Sequence, residues 1–388
     1  MYSTLGMQDA RNRTFFPDEN TRRGQNPLII AELGTSHGGD RAKAAEMVAA
    51  AAEAGADCVK LQMVFADEIL HPNTGEVPLP GGKIRLYDRF RQLEAPPEFY
   101  AEVKERVEAL GLLFLCTPFG LKSARLLKEL RPKAVKIASP ELNFTALLKD
   151  VAEWNLPVFL STGVSKLGDI EEALEILMDK NRPGGGASDP RPPVLLHCVT
   201  AYPAPEEDYN LRVLRGLSAI FGVSAGVSDH TLDPELVPAL ATTEGAVAVE
   251  KHFCLSRDDP GLDDPIALPP PDFARMVRAV RRAADSGPEE TLAVLRRERG
   301  TAKIDAVLGT GVKTLARCER ENYSRTNRSL HALRDIRRGE TVEAGDFAAL
   351  RTEKILRPGL PPSWADLLPG RTARRFIPAG EGIRFEDV

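Results

Sequence analysis

Eight short, mostly apolar runs divide the larger part of this chain: Leu28–Leu33, Cys58–Gln62, Leu112–Cys116, Ala134–Ala138, Pro157–Ser161, Val194–Cys198, Val223–Val227 and Ala246–Glu250. The segments between them read as helices. Arg41–Ala54 is Ala-rich with an apolar stripe, Pro97–Leu110 follows a Pro-Pro start, and Asp169–Met178 and Asp272–Ala284 continue the pattern. Strand alternating with helix is the signature of a parallel α/β sheet. Eight such units close into a (β/α)8 TIM barrel, whose active site lies at the C-terminal ends of the strands. One pattern therefore predicts the fold and the residues of the site together.

At or just after those strand ends stand Glu32, Lys60 and Gln62, Thr117, Lys136 and Ser139, Ser161 and Thr162, Tyr202, Ser228 and His230, and His252. Lys60 and Lys136 sit in apolar contexts, CVKLQ and AVKIAS, and are expected to project over the barrel mouth. Two lysines there suit a phosphate and a carboxylate, with Ser139, Ser161, Thr162 and Ser228 adding hydroxyl donors. His230 and His252 follow adjacent strands, so their imidazoles can share one divalent metal. No cysteine or third histidine stands clearly beside them, which favours octahedral Mn²⁺ or Mg²⁺ over Zn²⁺. Glu32, Glu141 and Asp263 are the carboxylates expected to face the site. Of Glu250 and Lys251, strand alternation sends one away from it. Cys198 reads as strand packing, and His37 either lines the site or holds the loop after the first strand.

Chain length allows more than one domain. The barrel is expected over residues 1–286, with 1–27 as an N-terminal extension. Residues 287–326, rich in charge, read as a helical linker. Residues 327–388 turn to short strands, Ser329–Ala332, Ile336–Gly339, Phe347–Arg351, Gly370–Phe376 and Ile377–Gly380, and form a second domain near the lower size for independent folding. Met63–Pro96 is a candidate lid, and Asn181–Pro193 a solvent loop on the far side of the barrel. The net charge of -5 argues against a broad nucleic-acid surface. No apolar run reaches the length of a membrane span. Met1–Pro27 carries Arg11, Arg13, Arg22 and Arg23 without an apolar stretch, so a secretory signal is not expected. The five cysteines lack metal-type spacing and read as free thiols, three of them inside strands, so a cytoplasmic location is expected.

These residues resemble the sialic acid synthase family (N-acetylneuraminate synthase type). The likeness runs from about Leu28 onward, through IIAELGTSHGGD, GADCVKLQ, FLCTPFG, VKIASPELN, PVFLSTGVS, LLHCVTAYPAP, GVSDHT, GAVAVEKHF and GLDD. The C-terminal part, NRSLHALRDIRRGETV through LLPGRTARRFIPAGEGI, is similar to the family's antifreeze-like SAF domain. The resemblance implies a phosphoenolpyruvate-dependent transferase that forms a C–C bond to the open-chain aldehyde of an N-acyl hexosamine such as N-acetylmannosamine. The products are a nine-carbon 2-keto sugar acid and phosphate. It implies that Lys60, Thr117, Lys136, Ser139, Ser161 and Ser228 hold phosphoenolpyruvate. Glu32, Gln62, Tyr202 and Asp263 surround the sugar, and Glu141 handles the attacking water or its proton. It also implies a metal on His230 and His252, and an arginine of the SAF domain, Arg357 in Arg357-Pro358-Gly359, reaching the sugar in the partner's site of a domain-swapped homodimer.

Several positions depart from the family pattern. Ser36 replaces an Asn, Pro140 a Gly, Thr200 an Asn or Ser, Asp264 a His and Ala267 a Ser. They bear on which sugar is used more than on the reaction. A diacetamido-dideoxy hexose, as in legionaminic or pseudaminic acid pathways, is therefore an alternative substrate. Two readings of other classes compete: a metal-dependent lyase or hydrolase, and a non-catalytic sugar-binding protein. Two lysines with a hydroxyl set argue against hydrolysis, which needs no second anionic pocket. Glu32, Lys60, Lys136, Glu141, His230 and His252 together argue against a barrel without chemistry.

Overall fold

The computed structural model describes residues 26–79, 82–180, 190–353 and 355–388. Most of the N-terminal extension and of the Asn181–Pro193 loop lies outside the described residues. Eight parallel strands form one sheet: β1 (Leu28–Gly34), β2 (Cys58–Met63), β5 (Leu113–Pro118), β6 (Val135–Ile137), β7 (Val158–Ser161), β8 (Val194–His197), β9 (Ser224–Asp229) and β10 (Ala248–His252). Their order is β5-β2-β1-β10-β9-β8-β7-β6. β5 and β6 lie side by side across the remaining seam, which leaves a nearly closed TIM-like barrel.

Alternation inside the barrel separates packing from chemistry. Ile30, Cys58, Leu115, Ala134, Phe159, Leu196 and Ala248 form one buried cluster within the barrel. Each stands two residues before a mouth residue: Glu32, Lys60, Thr117, Lys136, Ser161, Cys198 and Glu250. The plug thus supports the site from below. Phe159 is 1% exposed, and cutting it to alanine would cost about 3–5 kcal/mol through lost burial and a cavity. Under Ser228 the same position is Gly226, because a Cβ there would come within 2.5 Å of the Ala248 carbonyl oxygen.

The outer helices follow from local signals. Asp40 caps α1 (Arg41–Glu53), its Oδ1 accepting from Ala42 N at 2.7 Å and Lys43 N at 3.0 Å. Pro97 opens the helix Pro97–Ala109, where its missing N–H is harmless. The long helix Pro270–Arg299 breaks at Gly287, whose φ of 77° is open to glycine.

The segment after β2 is more structured than a loose lid. It holds a short helix, Ala66–Ile69, a hairpin of β3 (Glu76–Leu79) and β4 (Gly82–Arg85), and the helix Leu86–Gln92. Val64, Ile69, Leu70 and Phe119 form a buried cluster beneath it. Asn73 Nδ2 donates to the Ala379 carbonyl of the C-terminal domain at 3.0 Å. Turn-rich composition concealed these elements, because each is too short to show periodicity.

Residues 309–326 cross from the barrel to the C-terminal domain without strands. In that domain β11 (Arg328–Ala332) pairs antiparallel with β12 (Phe347–Arg351). The other expected strands are single bridges, Ile336 to Ile377 and Thr341 to Thr372. Leu330, Ile336, Val342, Leu368, Ile377 and Ile383 fill a small core of its own.

Candidate active site

Four charged side chains meet at the ends of β1, β2, β6 and β10. Lys60 Nζ lies 3.0 Å from Glu250 Oε1 and 3.3 Å from Glu32 Oε2. Gln62 Nε2 donates to Glu32 Oε1 at 2.6 Å, and Ser228 Oγ to Glu250 Oε1 at 3.0 Å. Burial works against the Lys60 ammonium, but Glu250 and Glu32 outweigh it and hold its pKa above the ordinary lysine value. Burial would raise Glu250, yet Lys136 and Lys60 overcome it and bring its pKa down to about 2. Glu32 goes the other way: burial raises it to about 7, against the pull of Lys60. Two carboxylates pushed apart in this way suit an ion partner and a proton carrier respectively.

Glu250 is a site residue that the sequence reading did not select. Alternation decides the Glu250/Lys251 pair. Glu250 shares the inner face with His252, while Lys251 turns outward to Asp229 Oδ2 at 2.6 Å. The spacing of two before His252 was the available signal.

Lys136 is 1% exposed. Its Nζ donates to Ser161 Oγ at 2.6 Å and to the Ile137 carbonyl at 3.0 Å. Ser139 Oγ sits 3.0 Å from Cys198 Sγ and accepts from Gly163 N at 2.9 Å. Cys198 therefore faces the mouth instead of packing behind the strand. Gly163 fits where nothing larger would: a Cβ there would stand 2.2 Å from Thr200 Oγ1. Thr117 Oγ1, Thr200 Oγ1 and Glu250 Oε2 are buried without a protein partner, which marks them as ligand-facing groups. Thr162 is different. Its amide and hydroxyl both turn to the Leu196 carbonyl, so it anchors the loop.

His230 and His252 come together with ring centroids 5.5 Å apart, and Tyr202 stacks on His230 at 4.5 Å. Burial lowers their pKa values to about 4 and about 3, so both are neutral at pH 7. The 3.8 Å approach of His252 Nδ1 to Asp263 Oδ2 is thus not an ion pair. His230 Nδ1 donates to the Val199 carbonyl at 2.8 Å, which fixes the tautomer and leaves Nε2 as an acceptor. Two neutral, oriented imidazoles fit a divalent ion. Among the described residues no group of three or more His, Cys, Asp or Glu is arranged to hold one. Water and substrate oxygens would have to complete its shell.

The turn after β6 carries Glu141, which is fully buried. Its Oε1 accepts from Arg328 Nη2 and Arg351 Nη2, each at 2.8 Å, and both arginines come from the C-terminal domain. Arg328 Nε adds a bond at 3.1 Å. Arg328 also donates to the Phe119 carbonyl at 2.5 Å and to the Glu68 carbonyl. Arg357, by contrast, turns into its own domain, donating to Asp387 Oδ2 and the Gly382 carbonyl, each at 2.8 Å. The arginines that this chain brings to the barrel mouth are Arg328 and the partly exposed Arg351. Arg351 ends a strand outside any Arg-Pro-Gly motif, so no local signal marked it.

Two of the departures noted above lie near each other. Burial raises the Asp264 carboxyl against the pull of the Ser36 hydroxyl, and its Oδ2 accepts from Gly261 N at 2.8 Å. His37 holds its loop, with Nδ1 accepting from Gly39 N at 3.0 Å and the ring on Phe99 at 4.6 Å. The cysteines are free thiols, buried except for partly exposed Cys318.

A parallel barrel with a charged, hydroxyl-rich site at its strand ends, covered by a small β domain, defines the class to which this protein belongs. The chain is a member of the NeuB family, whose model matches residues 47–290, and a SAF domain matches residues 327–388. It is 32% identical to the N,N'-diacetyllegionaminic acid synthase of Campylobacter jejuni over 84% of this chain and 90% of that one. The crystal structure of spore coat polysaccharide biosynthesis protein SpsE from Bacillus subtilis superposes with a TM-score of 0.77 at 32% identity, covering 96% and 98% of the two chains. That of N-acetylneuraminic acid synthetase from Leptospira borgpetersenii gives 0.60 at 29% identity, covering 77% and 90%.

Proposed function

We propose that this protein condenses phosphoenolpyruvate with the open-chain aldehyde of an N-acyl hexosamine, giving a nine-carbon 2-keto sugar acid and phosphate. The observation that carries the reading is the buried pair of lysines, Lys60 against Glu250 and Lys136 against Ser161. They offer two cationic positions to a substrate with a phosphate and a carboxylate. Ser139, Ser228 and Thr117 are the neutral hydroxyl groups around them, with Ser139 held by Gly163 N.

In the reaction, C3 of the enol attacks the aldehyde carbon and C2 becomes an oxocarbenium. Water adds at C2 and loses a proton, the aldehyde oxygen gains one, and phosphate leaves by C–O cleavage. Glu32, titrating near 7 because of burial, is the group suited to hold the proton delivered to the sugar oxygen. Glu141 Oε2, buried and unpartnered, is the atom left to receive a hydrogen bond from the water. Gln62, Thr200, Tyr202 and Asp263 line the sugar side, and Arg351, paired with Glu141, is the candidate arginine for it. His230 and His252 would hold Mn²⁺ or Mg²⁺, which supplies Lewis acidity toward an aldehyde oxygen.

The departures at Ser36 and Asp264 favour a second substrate, a diacetamido-dideoxy hexose. Both residues replace family types beside Asp263, and the C. jejuni relative is named a legionaminic acid synthase. Exposed Trp364, Leu367, Phe376 and Phe385 on the C-terminal domain support a homodimer. Exchange of that domain between subunits would repeat across the dimer the contact that the single chain makes with its own barrel. Phosphate release from phosphoenolpyruvate, measured with N-acetylmannosamine and with diacetamido-dideoxy hexoses, tests the reaction and its substrate together. No release with any amino sugar would overturn the reading.

A further inference from the structure

The turn after β7 is held in a conformation that its sequence resists. Val164, buried and β-branched, has a φ of 42°. That left-handed region is costly for such a residue and persists only where its surroundings impose it. Here the surroundings belong to the segment between the two domains. Glu319 is 1% exposed, and its Oε1 accepts from Val164 N at 2.8 Å and from Thr200 N at 2.7 Å. Its Oε2 accepts from Ala316 N at 3.1 Å. Asn327 Nδ2 donates to the Val164 carbonyl at 3.1 Å, and Lys313 Nζ to the Thr162 carbonyl at 2.9 Å. The strained residue is thus gripped at both of its peptide groups by residues 319 and 327.

We propose that Glu319, with Asn327, is a positioning residue for the anion site: the interdomain segment is a strap that holds the Ser161–Ser165 turn in register. This deepens the proposed reaction and rests on it. The turn presents Ser161 Oγ to Lys136 and Gly163 N to Ser139, and Gly163 lies against Thr200 and Ser139 with no room for a side chain. Release of Val164 toward ordinary backbone angles would swing Gly163 and withdraw the hydrogen bonds that hold Lys136 and Ser139 where the phosphate or carboxylate of phosphoenolpyruvate is bound. Glu319 touches no substrate; it acts through Val164 and Thr200.

The test uses the full chain in three forms. Glu319→Ala should raise the KM for phosphoenolpyruvate by about tenfold while the KM for the sugar moves less than about twofold. Glu319→Gln keeps one acceptor oxygen for Val164 N and Thr200 N, and should stay within about threefold of the wild type. Adding Val164→Gly to Glu319→Ala removes the cost of positive φ and should recover a large part of the lost affinity. An unchanged phosphoenolpyruvate KM in folded Glu319→Ala would overturn the proposal. So would a loss spread equally over both substrates and untouched by Val164→Gly. If Glu319→Ala does not fold, Asn327→Ala, which frees the Val164 carbonyl alone, carries the comparison, and an unchanged phosphoenolpyruvate KM in that folded chain would be the contrary result. Wild-type protein that releases no phosphate from phosphoenolpyruvate would count against the condensation alone. The strap would then be read from amide hydrogen exchange at Val164 and Thr200, which Glu319→Ala must accelerate by roughly tenfold or more.

Discussion

Arg351 Nη2 and Arg328 Nη2 lie at the same distance, 2.8 Å, from one oxygen of Glu141. A carboxylate of the barrel mouth is therefore oriented by the C-terminal domain, and the domain is part of the site and not an appendage to it. The two arginines differ in setting. Arg328 is wholly buried and satisfies backbone carbonyls on the barrel, while Arg351 retains 11% of its side-chain surface. Arg328 is the anchor, and Arg351 is the arginine proposed to reach the substrate.

Arg351→Ala should reduce kcat/KM by roughly 10- to 100-fold with little change in thermal stability, because Arg328 still pairs Glu141. Arg357→Ala should do the reverse, lowering the melting temperature through the loss of its bond to Asp387 and leaving turnover near normal. Steady-state kinetics and thermal unfolding on both variants decide the matter. Full activity in Arg351→Ala, with activity lost in Arg357→Ala, would return the sugar-side role to Arg357.

Arg328→Ala should be far more damaging to the fold. It strips a buried carboxylate of one partner and leaves the Phe119 and Glu68 carbonyls unpaired, a loss of about 3–5 kcal/mol. Arg328→Lys should not restore it, since one ammonium cannot reproduce the fork on Glu141. Denaturant unfolding reads the difference, and a Lys variant as stable as the wild type would refute the geometry.

Much of this was legible from the sequence, because barrel strands announce themselves twice. Their apolar runs locate them, and period-two alternation aims Lys60, Gln62, Lys136 and His252 inward over the plug formed by Cys58, Ala134 and Ala248. The same rule carries Glu250 once the inward face of β10 is set. Arg328, Arg351, Glu319 and Asn327 were not legible in this way. They act across more than a hundred residues of chain, from a charged segment and a domain edge, and no local period marks a residue whose partner is a distant carboxylate or a strained peptide. Arg357 was chosen for its motif, and the motif does not say which way a side chain turns.

Burial draws the Lys136 pKa down to about 8, against the pull of Glu250, with the charge on Lys60 adding to the depression. A lysine binds an anion only while protonated. kcat/KM for phosphoenolpyruvate should therefore fall as pH rises through that value, with a limiting slope of minus one in the logarithm. Lys136→Arg, which stays charged, should remove the alkaline limb even if its maximum is lower. A wild-type profile flat to roughly two units above the lysine pKa would mean that another group binds the anion.

Chelation should abolish turnover, and Mn²⁺ or Mg²⁺ should restore it. His230→Ala and His252→Ala should bind the ion poorly by titration calorimetry while unfolding at nearly the wild-type temperature, since neither imidazole carries an ion pair. Chelator-resistant activity in the wild type would exclude the metal from the account.

The proposed condensation consumes two substrates at once. Phosphate release should be followed with phosphoenolpyruvate alone, then with N-acetylmannosamine or a diacetamido-dideoxy hexose added, with the product identified by mass. Phosphate should appear only when both substrates are present, in equal amount with a nine-carbon 2-keto acid. Phosphate released from phosphoenolpyruvate without any sugar, or a sugar acid formed with no phosphate, would contradict it.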